Sequence, residues 1–289
     1  TEVPTIDRLK LPKILEKLVM QRNGLILVVG ATGSGKSTSL AAMIDHRNSN
    51  AGGHILTLED PIEYVHEHKK SIVAQREIGT DTDSFLTGMK AALREAPDVI
   101  LMGEIRDLET MEFALKFSNT GHLTLSTLHA NNTITTMERI LGFFPKEGIE
   151  AQAKRISQNL RAIVCQRLVP AIDGGKIAAI EILINTGYIA DLISKMELGS
   201  MKDAVERGQN YGMQSFDQHL VALYHEGRIT AETAIDFADS SSNVKIQIKT
   251  ADAGKKIQSS DTWGSSLSLA PSEDDADEMD DVVADFGKP

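Results

Sequence analysis

Residues 30–37 read Gly-Ala-Thr-Gly-Ser-Gly-Lys-Ser, with three glycines directly ahead of a lysine. The spacing is G-x-x-x-x-G-K-[ST]. It sits between an apolar run, Leu25–Val29, and a helix-like pattern, Thr38–Arg47. Gly30, Gly33 and Gly35 let the backbone curl. Successive N–H groups from Gly30 through Ala31, Thr32, Ser34 and Lys36 to Thr38 can then turn inward around anionic oxygens. A helix starting near Lys36 adds the positive end of its dipole. Lys36 puts a charge on β- and γ-phosphates, and the Ser37 hydroxyl is the expected Mg²⁺ ligand. A bound nucleoside triphosphate is the expectation.

Binding alone does not say what the nucleotide is for, and the next acids narrow it. Asp98-Val-Ile-Leu-Met-Gly-Glu104 ends an apolar strand in a carboxylate. Gly103 stands where a magnesium-ordering aspartate is usual, so Glu104 is left to organise water or metal. After the apolar run His54–Leu58 come Glu59, Asp60, Pro61 and Glu63. At a strand's C-terminal edge these acids point toward the crevice where α/β proteins bind ligands, and Glu59 or Glu63 is a candidate general base. Two histidines, His122 and His129, flank a third strand and are expected to sense the γ-phosphate and relay its loss. Arg76, Arg94 and Arg106 are further candidates for phosphate or interface contacts, although arginines in such turns more often form ordinary ion pairs.

Short apolar runs must position these groups. Leu25–Val29, His54–Leu58, Asp98–Met102 and His122–Ser126 read as buried strands, alternating with helical patterns at Thr38–Arg47, Ser84–Glu95, Leu108–Phe117 and Thr133–Leu141. Such alternation predicts an α/β fold with a parallel sheet covered on both faces, to about Pro170. A helix is expected over Leu11–Gln21 and a last strand over Ile177–Ile184. Short helices from Gly187 to Asp236 read as a small helical subdomain. Beyond Ser240 the composition turns to Ser, Lys, Asp and Gly, and disorder is expected.

The net charge of −11 is concentrated at one end. From Pro271 onward eight acids face one lysine, so that segment carries −7 and the rest only −4. No basic stripe tracks a phosphate backbone, which disfavours a nucleic-acid partner and a nucleic-acid-translocating motor. The single cysteine, Cys165, excludes an intrachain disulfide and a multi-cysteine zinc site, and its apolar setting predicts a buried small hydrophobe. No 18-residue apolar run and no leader pattern occurs in these residues, so a cytoplasmic location is expected. Thr1 is not a methionine, and an upstream portion is expected.

Gly30–Ser37, Thr57–Tyr64, Asp98–Asp107 and Thr120–Asn131 together resemble the Walker A, Asp-box, Walker B and His-box segments of the secretion ATPase superfamily. The likeness is greatest to the type IV pilus retraction ATPases of the PilT/PilU group. It extends through Ser71–Gly79, Ala91–Thr110 and Val164–Pro170, from about Pro4 to Asp239. The resemblance implies a RecA-like P-loop core in a homo-hexamer, with ATP and Mg²⁺ at subunit boundaries. It also implies a PAS-like N-terminal domain, expected to be absent from this chain, that lends arginines to a neighbour's ATP. The implied layout is a linker and first helix over 1–22, the ATPase core over 23–186, the helical subdomain over 187–239 and a disordered acidic tail over 240–289.

PilT-type proteins carry the helical motif A-I-R-N-L-I-R-E. Here the stretch is Tyr188-Ile-Ala-Asp-Leu-Ile-Ser-Lys195, without its arginines and glutamate. That departure and the acidic tail make the accessory, PilU-type branch the nearer likeness. The implied activity is ATP hydrolysis powering pilus retraction and twitching motility. The alternative is an ATP-binding adaptor ring, with little hydrolysis of its own, coupled to an active PilT-type ATPase. Implied partners are that PilT-type ATPase and the pilus platform protein, with the ring peripheral to the inner membrane at the pilus base.

Overall fold

A fully buried apolar run between Gly24 and Gly30 sets the centre of the molecule. The computed structural model describes residues 2–260, with side chains to residue 250. The elements run α1 (Ile14–Val19), β1 (Gly24–Val29), α2 (Lys36–Asn50), β2 (Gly53–Glu59), β3 (Ser71–Glu77), α3 (Phe85–Ala92) and β4 (Val99–Glu104). They continue with α4 (Leu108–Asn119), β5 (Leu123–Leu128), α5 (Thr133–Gly142), α6 (Ile149–Asn159), β6 (Leu160–Pro170) and β7 (Lys176–Ile184). The last are α7 (Gly187–Ser194), α8 (Met201–Arg207), α9 (Phe216–His225), α10 (Ala231–Asp236) and α11 (Ser241–Ser260).

One seven-stranded sheet results, in the order β3-β2-β4-β5-β1-β6-β7. Every residue of β1 is buried, as a central strand covered on both faces requires. The sheet is parallel through β6, as expected to about Pro170, and the last strand, β7, pairs antiparallel with β6. Sequence periodicity also missed β3, whose Ser71, Gln75 and Arg76 break the apolar run. Leu25, Leu27, Val29, Ile100 and Met102 face one apolar cluster; Ile26, Val28, Val99 and Leu101 face the other. Residues 6–19, expected to belong to a linker and first helix, are packed on the sheet: Ile6, Leu11, Leu15 and Val19 belong to the second cluster. The helical segment likewise shares the first cluster, through Ile189, Leu192, Phe216 and Leu220.

Disorder from residue 240 is corrected for residues 241–260, which form α11. Val244 and Ile248, one turn apart, are buried against the helical segment, each contributing about 1.5–3 kcal/mol of apolar transfer. The buried Asp217 carboxylate accepts from the amides of Asp239 (2.7 Å) and Ser240 (3.0 Å), fixing the turn into α11. Two apolar residues on one helical face were enough; bulk composition hid them. The expected disorder beyond 260, with the acidic run, lies outside the described residues. No helix among the described residues is long and apolar enough to cross a membrane. Cys165 is buried on β6, and burial pushes its thiol pKa up, as suits a packing role.

One buried histidine carries a pH dependence. His219 on α9 accepts from the Ile180 amide through Nδ1, at 2.9 Å. Burial pushes its pKa down to about 4, with Glu226 opposing and Arg228 assisting. The unfolded chain therefore takes up this proton first as pH falls. Stability from the neutral ring is complete above about pH 6.5 and is lost progressively toward pH 4. Urea unfolding should show a loss of about 2 kcal/mol from pH 7 to pH 5 through this group. His219→Asn, which keeps an acceptor without a proton to gain, should remove most of that difference. An undiminished slope in the variant would contradict the assignment.

Candidate active site

Topology brings the chemical segments together. β1, β5, β4 and β2 are parallel neighbours, so the segments that follow them emerge along one sheet edge. At about 4.8 Å per strand, the four ends span about 14 Å. A cavity of about 560 Å³ opens there, bordered by Lys36, Ser37, Glu59, Glu63, Glu104 and His129. That is within the size range of small-molecule sites.

The phosphate-loop geometry follows from its glycines. Gly35 has φ 87°, left-handed backbone, immediately before α2, and a Cβ there would come 2.8 Å from Gln166 Nε2. Lys36 Nζ donates to the carbonyls of Gly30 (2.8 Å) and Ala31 (2.9 Å), which hold the ammonium over the loop. Burial lowers its pKa, while the carboxylates of Glu104 and Glu63 pull it back up. Ser37 Oγ donates to Glu63 Oε1 at 3.0 Å, and the hydroxyls of Thr38 and Tyr64 meet at 3.1 Å. A hydroxyl and a carboxylate side by side are hard oxygen donors, and they fit a magnesium ion.

Gln166 was not singled out from the sequence. Buried on β6, it donates to the Ser34 carbonyl (2.8 Å) and accepts from Ser39 Oγ (2.8 Å), tying the loop to the first turn of α2. The signal was a lone amide inside the apolar run Val164-Cys165-Gln166, which a core strand keeps only when its polar atoms find partners.

Glu104 is aimed by a bulge. The β4–β5 register slips between Met102 and Glu104, so Gly103 lies opposite no residue of β5, and Thr127 Oγ1 donates to the Gly103 carbonyl at 2.7 Å. A Cβ on Gly103 would sit 3.2 Å from the Leu58 carbonyl. The glycine in the usual aspartate position therefore has a structural reason: it admits the bulge that redirects Glu104. The Glu104 carboxylate accepts from Arg106 Nε at 2.8 Å, and its other oxygen lies 3.2 Å from His129 Nε2. Arg139 Nη1 donates to the His129 carbonyl at 2.7 Å, fixing that backbone.

Glu59 borders the same cavity in a different bonding setting. Burial raises its pKa, against hydrogen bonds from Thr57 Oγ1 (2.6 Å) and Gln75 Nε2 (3.1 Å), and nearby Glu63 and Glu77 raise it further. Gln75 also donates to the Tyr64 carbonyl and accepts from the His66 amide, so Glu59 and Gln75 shape the loop that carries Glu63. Asn48 of α2 ties down the far end of that loop: its amide group donates to the Glu67 carbonyl and accepts from the Lys69 amide.

His122 does not join the site within this chain, a correction to the expectation that it senses the γ-phosphate. It precedes β5 whereas His129 follows it, so the two lie at opposite sheet edges, roughly 20 Å apart at 3.3 Å per residue. Its Nδ1 is 3.0 Å from Thr120 Oγ1 and 3.1 Å from the Phe117 carbonyl, and its ring packs edge-on against Phe117. Arg76 pairs with Glu95 at 2.8 Å, and Arg106 with Glu104.

A phosphate loop at the heart of a largely parallel sheet, with carboxylates at the neighbouring strand ends, defines a P-loop nucleotide-binding protein. More narrowly, the chain belongs to the type II/IV secretion system protein family, whose pattern matches residues 8–219. It is 53% identical over 250 residues to the type IV pilus ATPase PilU of Pseudomonas aeruginosa, covering 86% of this chain and 65% of that one. It is 43% identical over 234 residues to the type IV pilus retraction ATPase PilT of the same organism, covering 81% and 68%. The crystal structure of the pilus retraction motor PilT with bound ADP superposes with a TM-score of 0.78 at 46% identity, covering 83% of this chain and 68% of that one. The chain thus spans about two thirds of the length of these curated relatives.

Proposed function

We propose that the chain is the motor part of an accessory type IV pilus retraction ATPase. In this reading it works as a homo-hexamer on ATP and Mg²⁺, in the cytoplasm at the inner-membrane base of the pilus. Its partners are a PilT-type ATPase and the platform protein. The observation that carries the proposal is the meeting of Lys36, Ser37, Glu63, Glu104 and His129 around one cavity. The likeness to PilU supports the pilus assignment.

The loop amides from Gly30 to Thr38, with Lys36, bind the triphosphate. Ser37, with Glu63 or Glu104, would hold Mg²⁺, whose charge offsets that of the β- and γ-phosphates. Glu104, oriented by Arg106 and His129, takes the proton of the attacking water, and Glu63 is the second candidate for that role. Attack breaks the bond between the β-γ bridging oxygen and the γ-phosphorus, giving ADP and phosphate. His129 transmits the loss of the γ-phosphate to α5 and so to the neighbouring subunit.

One observation favours the adaptor-ring alternative: α7 carries Ala190 and Ser194, both half-buried, at the positions where the PilT-type motif has its two arginines. Phosphate release per subunit, measured alone and mixed with an active PilT-type ATPase, separates the two. Turnover in isolation supports the motor. Negligible turnover that rises only in the mixture supports the adaptor.

A further inference from the structure

Among the contacts that hold the backbone of residues 129–133 are Arg139 on the His129 carbonyl, Arg167 on the Asn131 carbonyl (3.3 Å), and the buried Glu181 carboxylate on the Thr133 amide (2.7 Å). Arg139 belongs to α5 itself, and Glu181 sits on β7. Arg167 differs because its guanidinium also reaches the C-terminal helices. It donates to the Phe237 carbonyl (3.1 Å), pairs with Asp239 Oδ1 (2.6 Å) and stacks 3.8 Å from the centre of the Phe216 ring. Asp239 is the residue whose amide the buried Asp217 fixes at the start of α11. The pair is about three-quarters buried at both ends, where solvent screens it less than at the surface.

The neighbouring position sharpens the point. Consecutive residues of a strand face opposite sides of the sheet. Gln166 turns one way to clamp the phosphate loop; Arg167 turns the other way and joins the His box to the approach to α11. Its planar fork holds these partners in one geometry, which a lysine ammonium cannot reproduce.

We propose that Arg167 is a positioning residue for hydrolysis. It couples the His129–Thr133 segment to the seat of α11, so that nucleotide state changes how firmly α11 docks, and α11 docking changes how His129 is presented. This rests on the reading of the site as an ATPase. Coupling of this kind is reciprocal, so it can be read from either end.

Hydrogen–deuterium exchange of the full chain with Mg-ADP and with Mg-ATPγS is the test. In the parent, amides of residues 237–248 should differ in protection between the two nucleotides by about 5-fold or more. Arg167→Ala and Asp239→Asn should erase that difference while both nucleotides still bind, and kcat should fall with KM little changed. Arg167→Lys should fail to rescue. If Arg167→Ala does not fold, Asp239→Asn carries the same test at the other end of the pair. A difference that persists in the folded variants, or that is missing from a parent that binds both nucleotides, overturns the coupling. A parent that binds neither nucleotide overturns the ATPase reading and the coupling with it.

Discussion

Lys36→Ala abolishes productive nucleotide binding, with affinity for Mg-ATP falling about 100-fold or more. The ammonium is the phosphate loop's own cation, held over it by the Gly30 and Ala31 carbonyls, with the acids Glu63 and Glu104 across the cavity. Without it those carboxylates face the triphosphate with no balancing side-chain charge from the loop. The chain should still fold, because Lys36 is half-exposed and contributes little to either apolar cluster. Calorimetric titration with Mg-ATP at matched thermal stability reads the effect. Undiminished affinity or turnover would remove the phosphate loop from the site.

Glu104→Gln separates binding from chemistry. The amide has nearly the shape of the carboxylate and can still accept from Arg106, so the bulge at Gly103 and the cavity wall should persist. It cannot take a proton from water. Turnover should therefore fall by about 100- to 10,000-fold with ATP affinity nearly unchanged. Tight ATP binding without release of phosphate is the expected signature. Full turnover in the variant would move the base to Glu63, which lies 3.0 Å from Ser37 on the other side of the cavity.

What the sequence revealed and what it hid divide along a physical line. The phosphate loop was legible because its requirements are local: left-handed glycines, a strand before and a helix after. The strand ends bearing Glu59 and Glu104 were legible for the same reason. Features set by pairing across the sheet were not. Gly103 read as the loss of a metal-ordering acid, whereas the β4–β5 register makes it the residue that lets Glu104 turn. Gln166 bonds to residues more than 120 positions away, so its role has no local spacing to betray it. His122 and His129 look equivalent seven residues apart, yet a strand lies between them and sends them to opposite edges. α11 escaped because composition averages over a segment, whereas its helix docks through Val244 and Ile248 on one face.

The most direct test of the central claim is to measure ATP binding and phosphate release together, in one preparation of the parent protein with Mg²⁺. Lys36→Ala and Glu104→Gln are examined alongside it. The account predicts release in the parent, loss of both binding and release in Lys36→Ala, and binding without release in Glu104→Gln. Release at the parental rate from either variant would contradict it: from Lys36→Ala it would remove the phosphate loop from the site, and from Glu104→Gln it would take the role of base away from Glu104.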